Sequence, residues 1–254
     1  MAQLRFLRAA ACVFPLAFGL AHGLAAQKVA SNPFLEAGIP ASDREWHGPD
    51  YTRTSEILSA GKVALPRLSE PLGAALLGRL TSTENFSLDR NGALPIEARL
   101  GDYLAIQQGT NKVLNLYVAT MVRGEAKVTA EMTQIVAFSL RVSALGIDLV
   151  EEFLPKIPKD ESYAARMEGL KQMYSGISTQ FQGAEAMLGE IKIYSQPERS
   201  LLLDAMAGAL PVLRKAFSQD FRVELRKKLE DDRSLFSSSQ DLDRLQSMIR
   251  ELGG

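Results

Sequence analysis

The sequence predicts an all-α protein, an antiparallel up-down helical bundle, on three observations. Apolar residues recur at alternating steps of four and three through three long segments. Glycine, proline and capping residues punctuate those segments, and the connections between them are short. Long helices are expected at about 96–122, 125–154, 160–193 and 196–217, with shorter C-terminal helices and an irregular N-terminal arm. The 254 residues, 46% hydrophobic and 23% charged, suit a globular chain. The predicted organisation is a signal peptide over 1–25, the arm over 26–66 and a single helical bundle domain over 67–254.

Arg5 and Arg8 give the start of the chain a positive character, and no acid precedes Glu36. Ala9 to Leu20 is an uninterrupted apolar run, short for a bilayer span, followed by Gly23, Ala25 and Ala26. This reads as an export signal cleaved after Ala25 or Ala26, with an uncleaved anchor as the rival. The expected product is exported, periplasmic if the source is a Gram-negative bacterium and otherwise secreted, with no transmembrane helix in the mature chain. Cys12 is the only cysteine and lies in the signal, so a mature chain would hold no thiol for disulfides, metals or nucleophilic catalysis.

In the arm, Pro33, Pro40, Pro49 and Pro66 interrupt periodicity and Gly38, Gly48 and Gly61 add turns. Only Thr54 to Ala60 reads there as a short helix. A further short helix is expected with Ser69 as N-cap and Pro71 in its first turn, running to about Leu80. Phe86 to Leu94, around Asp89-Arg90-Asn91-Gly92, reads as a loop or small hairpin.

The first long helix carries the seam Ile96, Leu100, Tyr103, Gln107, Thr110, Leu114, Tyr117 and Met121. Gly124 is suited to the left-handed conformation that ends it. The second carries Val128, Met132, Ile135, Ser139, Val142, Gly146, Leu149 and Phe153, and Pro155 and Pro158 stop it. Asp160 can cap the third, whose seam is Tyr163, Met167, Leu170, Tyr174, Ile177, Phe181, Ala184, Leu188 and Ile191. Ser195 and Glu198 form a capping box with Pro197 in the first turn of the fourth. That helix turns Leu202, Leu203, Met206, Leu210, Leu213 and Phe217 inward, with a kink expected near Pro211. Phe221 to Leu229 and Leu242 to Leu252 follow as shorter helices.

Chemistry is sparse. Glycine phosphate loops, H-E-x-x-H, E-x-x-H pairs and G-x-S-x-G are all missing. His47 is the sole histidine beyond the signal and sits in the arm. Ser59 and Lys62 match S-x-x-K without companion motifs, and Glu151 with Glu152 reads as a solvated face. No catalytic residue, metal site or cofactor is expected. The formal charge is −1, and the basic stretch from Arg214 to Arg233 is interleaved with acids, which argues against nucleic acid.

Three groups remain as candidate sites. Reflecting the second helix onto the first through Gly124, and the third onto the second through residue 157, brings Gln107, Thr110, Ser139 and Tyr174 to one level. They are expected to form a buried polar layer that sets register or lines a ligand site. Gly169, Gly176 and Gly183 recur at seven-residue steps and imply close approach of a bundle helix or a partner. Trp46, with His47 beside it, is expected to anchor the arm to the bundle, or, if exposed, to anchor a partner or ligand. Arg141 lies on a polar stripe and is expected at the surface. Two functions are compatible with this pattern. One is a non-catalytic exported protein working through protein contacts, as scaffold, adaptor or accessory subunit of an envelope assembly. The other is a small-molecule or lipid carrier with a cavity lined by Met132, Tyr174 and Phe181.

Overall fold

A computed structural model describes residues 31–86 and 94–253, and every regular element among them is helical. The signal peptide expected over 1–25 and the Asp89–Gly92 turn lie outside the described residues. Helices α1 (Pro33–Glu36), α2 (Gly48–Ser59) and α3 (Pro71–Leu80) come first. The long helices are α4 (Ile96–Val122), α5 (Thr129–Phe153), α6 (Tyr163–Gly189) and α7 (Gln196–Leu213), and α8 (Gln219–Asp231) and α9 (Ser239–Gly253) end the fold.

The arm is the first correction. It is irregular only in part: α2 begins six residues before the short helix expected at Thr54. Pro49 occupies its first turn, where a missing N–H is harmless, so a residue read as a breaker is an initiator. The Asp50 carboxylate accepts the N–H of His47 at 3.0 Å and ties down the entry. From Asn32 onward arm and bundle form one compact unit. α3 starts at Pro71 with Glu70 rather than Ser69 at the N-cap.

The other boundaries follow the local signals. Gly124 ends α4 with φ of +68°. Glu198 accepts the N–H of Ser195 at the start of α7. α7 ends at Leu213, two residues after Pro211, and a 3-10 turn continues to Ala216. α6 stops at Gly189, so Ile191, expected to face inward, is 54% exposed.

Helix α5 is the centre. It buries 17 of its 25 residues, including the expected seam from Met132 to Leu149. By length and hydropathy it is the one described helix able to cross a membrane, but it is enclosed by protein. One apolar cluster joins α1–α4 to α5 through Trp46, Tyr51, Phe86, Tyr103, Tyr117 and Phe138. The other joins α5 to α6–α9 through Leu140, Phe181, Leu203, Met206, Leu213 and Leu245. Leu114 and Met173 pack against both.

The pairing of helices departs from a ring of chain neighbours. The start of α4 meets the end of α5, where Arg99 bonds Glu152 at 2.8 Å and Gly146 lies against Tyr103. α5 then packs mainly on α7 rather than on α6. Thr129 bonds Glu198 at 2.7 Å at the start of both helices, and Lys215, just past the end of α7, bonds Glu151 at 2.7 Å.

α4 is also rotated relative to its expected seam. Ile96, Tyr103, Thr110 and Tyr117 are buried as predicted, but their companions are Arg99, Ile106, Val113 and Thr120. Leu100, Gln107, Leu114 and Met121 are only half-buried. The cause is α2, which packs along that side: the backbone of Tyr51 would stand 2.8 Å from a Cβ at Gly109.

Candidate functional site

The outer surface of α6 sets that helix apart. Its first fully buried residue is Ile177, followed by Phe181, Ala184, Glu185 and Leu188. Earlier, Tyr163, Met167, Leu170, Met173 and Tyr174 are only half-covered. From Gln172 to Gly189 the only charged residue is Glu185, which turns inward. What faces outward there is Gln172, Ser175, Gly176, Thr179, Gln182, Gly183, Ala186 and Gly189. At 1.5 Å per residue this makes an uncharged strip roughly 27 Å long.

Gly169, Gly176 and Gly183 lie on that exposed side of an unbroken helix. Among the described residues a Cβ at any of them meets nothing within 4 Å, so no described helix uses the close approach that their spacing predicts. Glycine does permit close contact elsewhere: a Cβ at Gly109 or Gly146 would clash with Tyr51 or Tyr103. Spacing by seven residues drew attention to the wrong glycines for internal packing.

Behind the strip, Glu185 stands 3.7 Å from the Lys228 Nζ. Burial pushes its carboxyl above the usual range; Lys228 opposes this, and Asp232 and Glu224 reinforce it.

The polar layer is divided by the structure. Reflection through Gly124 would bring residue 103 level with 145, and Tyr103 in fact lies against Gly146. Thr110 and Ser139, on α4 and α5, are both buried, while Gln107 is half-buried on the rotated edge of α4. Tyr174 belongs elsewhere. Reflection through residue 157 would set residue 143 level with 171, whereas Ser143 bonds Gln180 at 2.7 Å. The Tyr174 hydroxyl is raised by burial and by Glu151, against Lys215, which places it toward the far end of α5. The longer connection after Pro155 accounts for the displacement. None of the four residues hydrogen-bonds another through its side chain: Gln107 Oε1, Thr110 Oγ1 and Ser139 Oγ are buried with no partner among the described residues. The lining expected for a carrier is likewise split, with Met132 in one cluster and Phe181 in the other.

Trp46 is fully buried and is a structural anchor, not an exposed one. Its ring N–H donates to the Ala41 carbonyl at 2.9 Å, its backbone N–H to Asn85 Oδ1 at 3.0 Å, and its ring meets Tyr51 edge-on. Asn85 also donates to the Tyr51 hydroxyl at 2.7 Å, which donates to the Leu80 carbonyl at 2.6 Å. His47 precedes α2 with Nδ1 buried and unpartnered among the described residues. Asp102 accepts the Gly48 N–H at 2.6 Å, and burial pushes its carboxyl up against that bond and His47.

Sequence reasoning missed Asn85 and also Glu131, which is buried against Arg67 at 3.2 Å and accepts the Leu68 N–H at 3.0 Å. Their roles depend on partners 39 and 63 residues away, which no local pattern signals. Ser59 and Lys62 are exposed. Glu151 and Glu152 are surface ion-pair partners, and Arg141 stands 3.9 Å from Asp204 at the surface. Among the described residues no group of three or more His, Cys, Asp or Glu side chains is arranged to hold a metal.

Among the described residues, fold and surface together define a class: an all-helical protein with a buried core and one long helix whose outer face is left bare. No family model, curated protein or solved structure matches the chain.

Proposed function

We propose that this chain is an exported, non-catalytic helical protein that acts through protein contacts, with the outer face of α6 as its contact surface. One observation carries the reading. Three glycines occupy exposed helix-interior positions where nothing among the described residues needs them, each at about 1 kcal/mol of stability relative to alanine. Glycine there is explained by a partner backbone that must come close. The absence of charge along the strip supports a docked helix, since buried charge would have to be desolvated. The half-covered Met167, Leu170 and Met173 offer adjoining apolar area. Export rests on Arg5, Arg8 and the apolar run before Ala25, and in a Gram-negative source places the partner in the envelope.

The test is site-specific photocrosslinking in the native envelope fraction, with a photoreactive residue at Gln172, Thr179 or Gln182 and a control at Arg250. Discrete crosslinked species are expected from the α6 positions alone, and Gly176→Arg should abolish them while leaving the circular dichroism spectrum unchanged. Equal labelling from Arg250, or no adduct from α6, would refute the proposal.

A further inference from the structure

We infer that the junction of α2, α4 and α5 is an internal water-binding site held by the hydroxyls of Thr54, Thr110 and Ser139. Serine and threonine inside a helix ordinarily donate to the carbonyl one turn back. In this chain Thr52, Thr81, Thr120, Thr133, Ser178 and Thr179 all do so. Thr54, Thr110 and Ser139 have the same option and do not take it. Their side chains are 0%, 1% and 1% exposed, and no group among the described residues pairs with their oxygens.

The three flank one contact between helices. Tyr51, one turn before Thr54, presses its backbone to within 2.8 Å of a Cβ at Gly109, the neighbour of Thr110. The Tyr51 ring stacks on Phe138, the neighbour of Ser139, with centroids 6.1 Å apart. Each of the three helices thus carries one orphan hydroxyl within three residues of this contact.

The chemistry selects the occupant. A hydroxyl both donates and accepts, so an apolar molecule would leave all three unsatisfied. Ile106, Val113, Ile135 and Val142 belong to the same apolar cluster, which disfavours any charged ligand. Water is neutral, offers two donors and two acceptors, and when buried makes about three bonds to otherwise unpaired groups.

A high-resolution crystal structure of the whole exported protein tests this directly. Ordered water density within about 3 Å of the three oxygens is expected. In urea titrations Thr110→Val and Ser139→Ala should each raise the unfolding equilibrium constant roughly ten-fold, because a bound water is left short of a partner. The inference is overturned if no density lies beside any of the three hydroxyls. It is overturned equally if both variants are as stable as the parent or more so, the result for hydroxyls that bind nothing. Should a variant fail to fold, density in the unmodified protein decides.

Discussion

Alanine at Gly109 and alanine at Gly176 are the same chemical change in the middle of a long helix, yet the structure predicts opposite signs. Both replacements gain about 1 kcal/mol in helix propensity. At Gly176 nothing lies within 4 Å of the new methyl group, so the gain is kept. At Gly109 the methyl would stand 2.8 Å from the carbonyl carbon, the carbonyl oxygen and the Cβ of Tyr51. Two of these are backbone atoms that no rotamer change can move, so α2 must lift from α4. Overpacking of this kind costs about 1–3 kcal/mol, and the upper part of that range, about 2–3 kcal/mol, applies because lifting α2 also strains the Tyr51–Phe138 stack and the Asn85 bonds. The net expectation is a loss of roughly 1–2 kcal/mol for Gly109→Ala and a gain of roughly 1 kcal/mol for Gly176→Ala. In a thermal melt followed by far-UV circular dichroism, each kcal/mol moves the midpoint by about 2–4 °C in a chain of this size. If Gly109→Ala is as stable as the parent, the close α2–α4 approach is wrong. If Gly176→Ala is less stable, α6 is covered within its own chain, and the proposed contact surface falls with it.

Two further expectations rest on buried side chains. Trp46→Ala removes a fully buried ring that packs edge-on against Tyr51, and a loss of about 3–5 kcal/mol is expected by urea denaturation. Trp46 is also the only tryptophan, so its emission in the parent should be blue-shifted and poorly quenched by acrylamide; exposed-type emission would contradict its burial. Glu185→Gln addresses the carboxyl raised by burial behind α6. A raised folded value means that its contribution to stability is fully present below the ordinary glutamate range and is lost as pH rises through the folded value. The glutamine variant should therefore be more stable than the parent at neutral pH, with the gap closing in acid. Denaturation across that range checks it, and a parent that is the more stable at neutral pH would show that the Lys228 contact outweighs desolvation.

How much of this was legible beforehand differs from residue to residue. The bare strip contains Gly176 and Gly183, with Gly169 just before it, which their spacing brings forward, but its lack of cover follows from the packing of α6 and is not encoded in α6 alone. Thr110 and Ser139 were placed at a common level because the tight turn at Gly124 fixes how α4 lies on α5. Tyr174 was misplaced because the connection after Pro155 is longer than a tight turn and shifts α6 by about nine residues, roughly 13 Å along the axis. Thr54 does not stand out in the sequence, because a proline such as Pro49 breaks a helix or occupies its first turn, and local pattern does not separate the two.

By itself the sequence determined that the chain is helical, where the long helices begin and end to within about four residues, and which residues of α5 and α7 turn inward. Those properties arise from interactions over one or two turns: apolar spacing, a left-handed glycine, a carboxylate on an N-terminal N–H. Tertiary structure decided that α5 packs on α7, that α4 turns Ile106 and Val113 inward in place of Gln107 and Leu114, and that the face of α6 stays open. A helix buried on nearly every side, as α5 is, presents no single seam to choose its neighbour. The choice falls to contacts such as Tyr51 on Gly109 and Thr129 on Glu198, whose partners are far apart in the chain and meet only when the whole core closes.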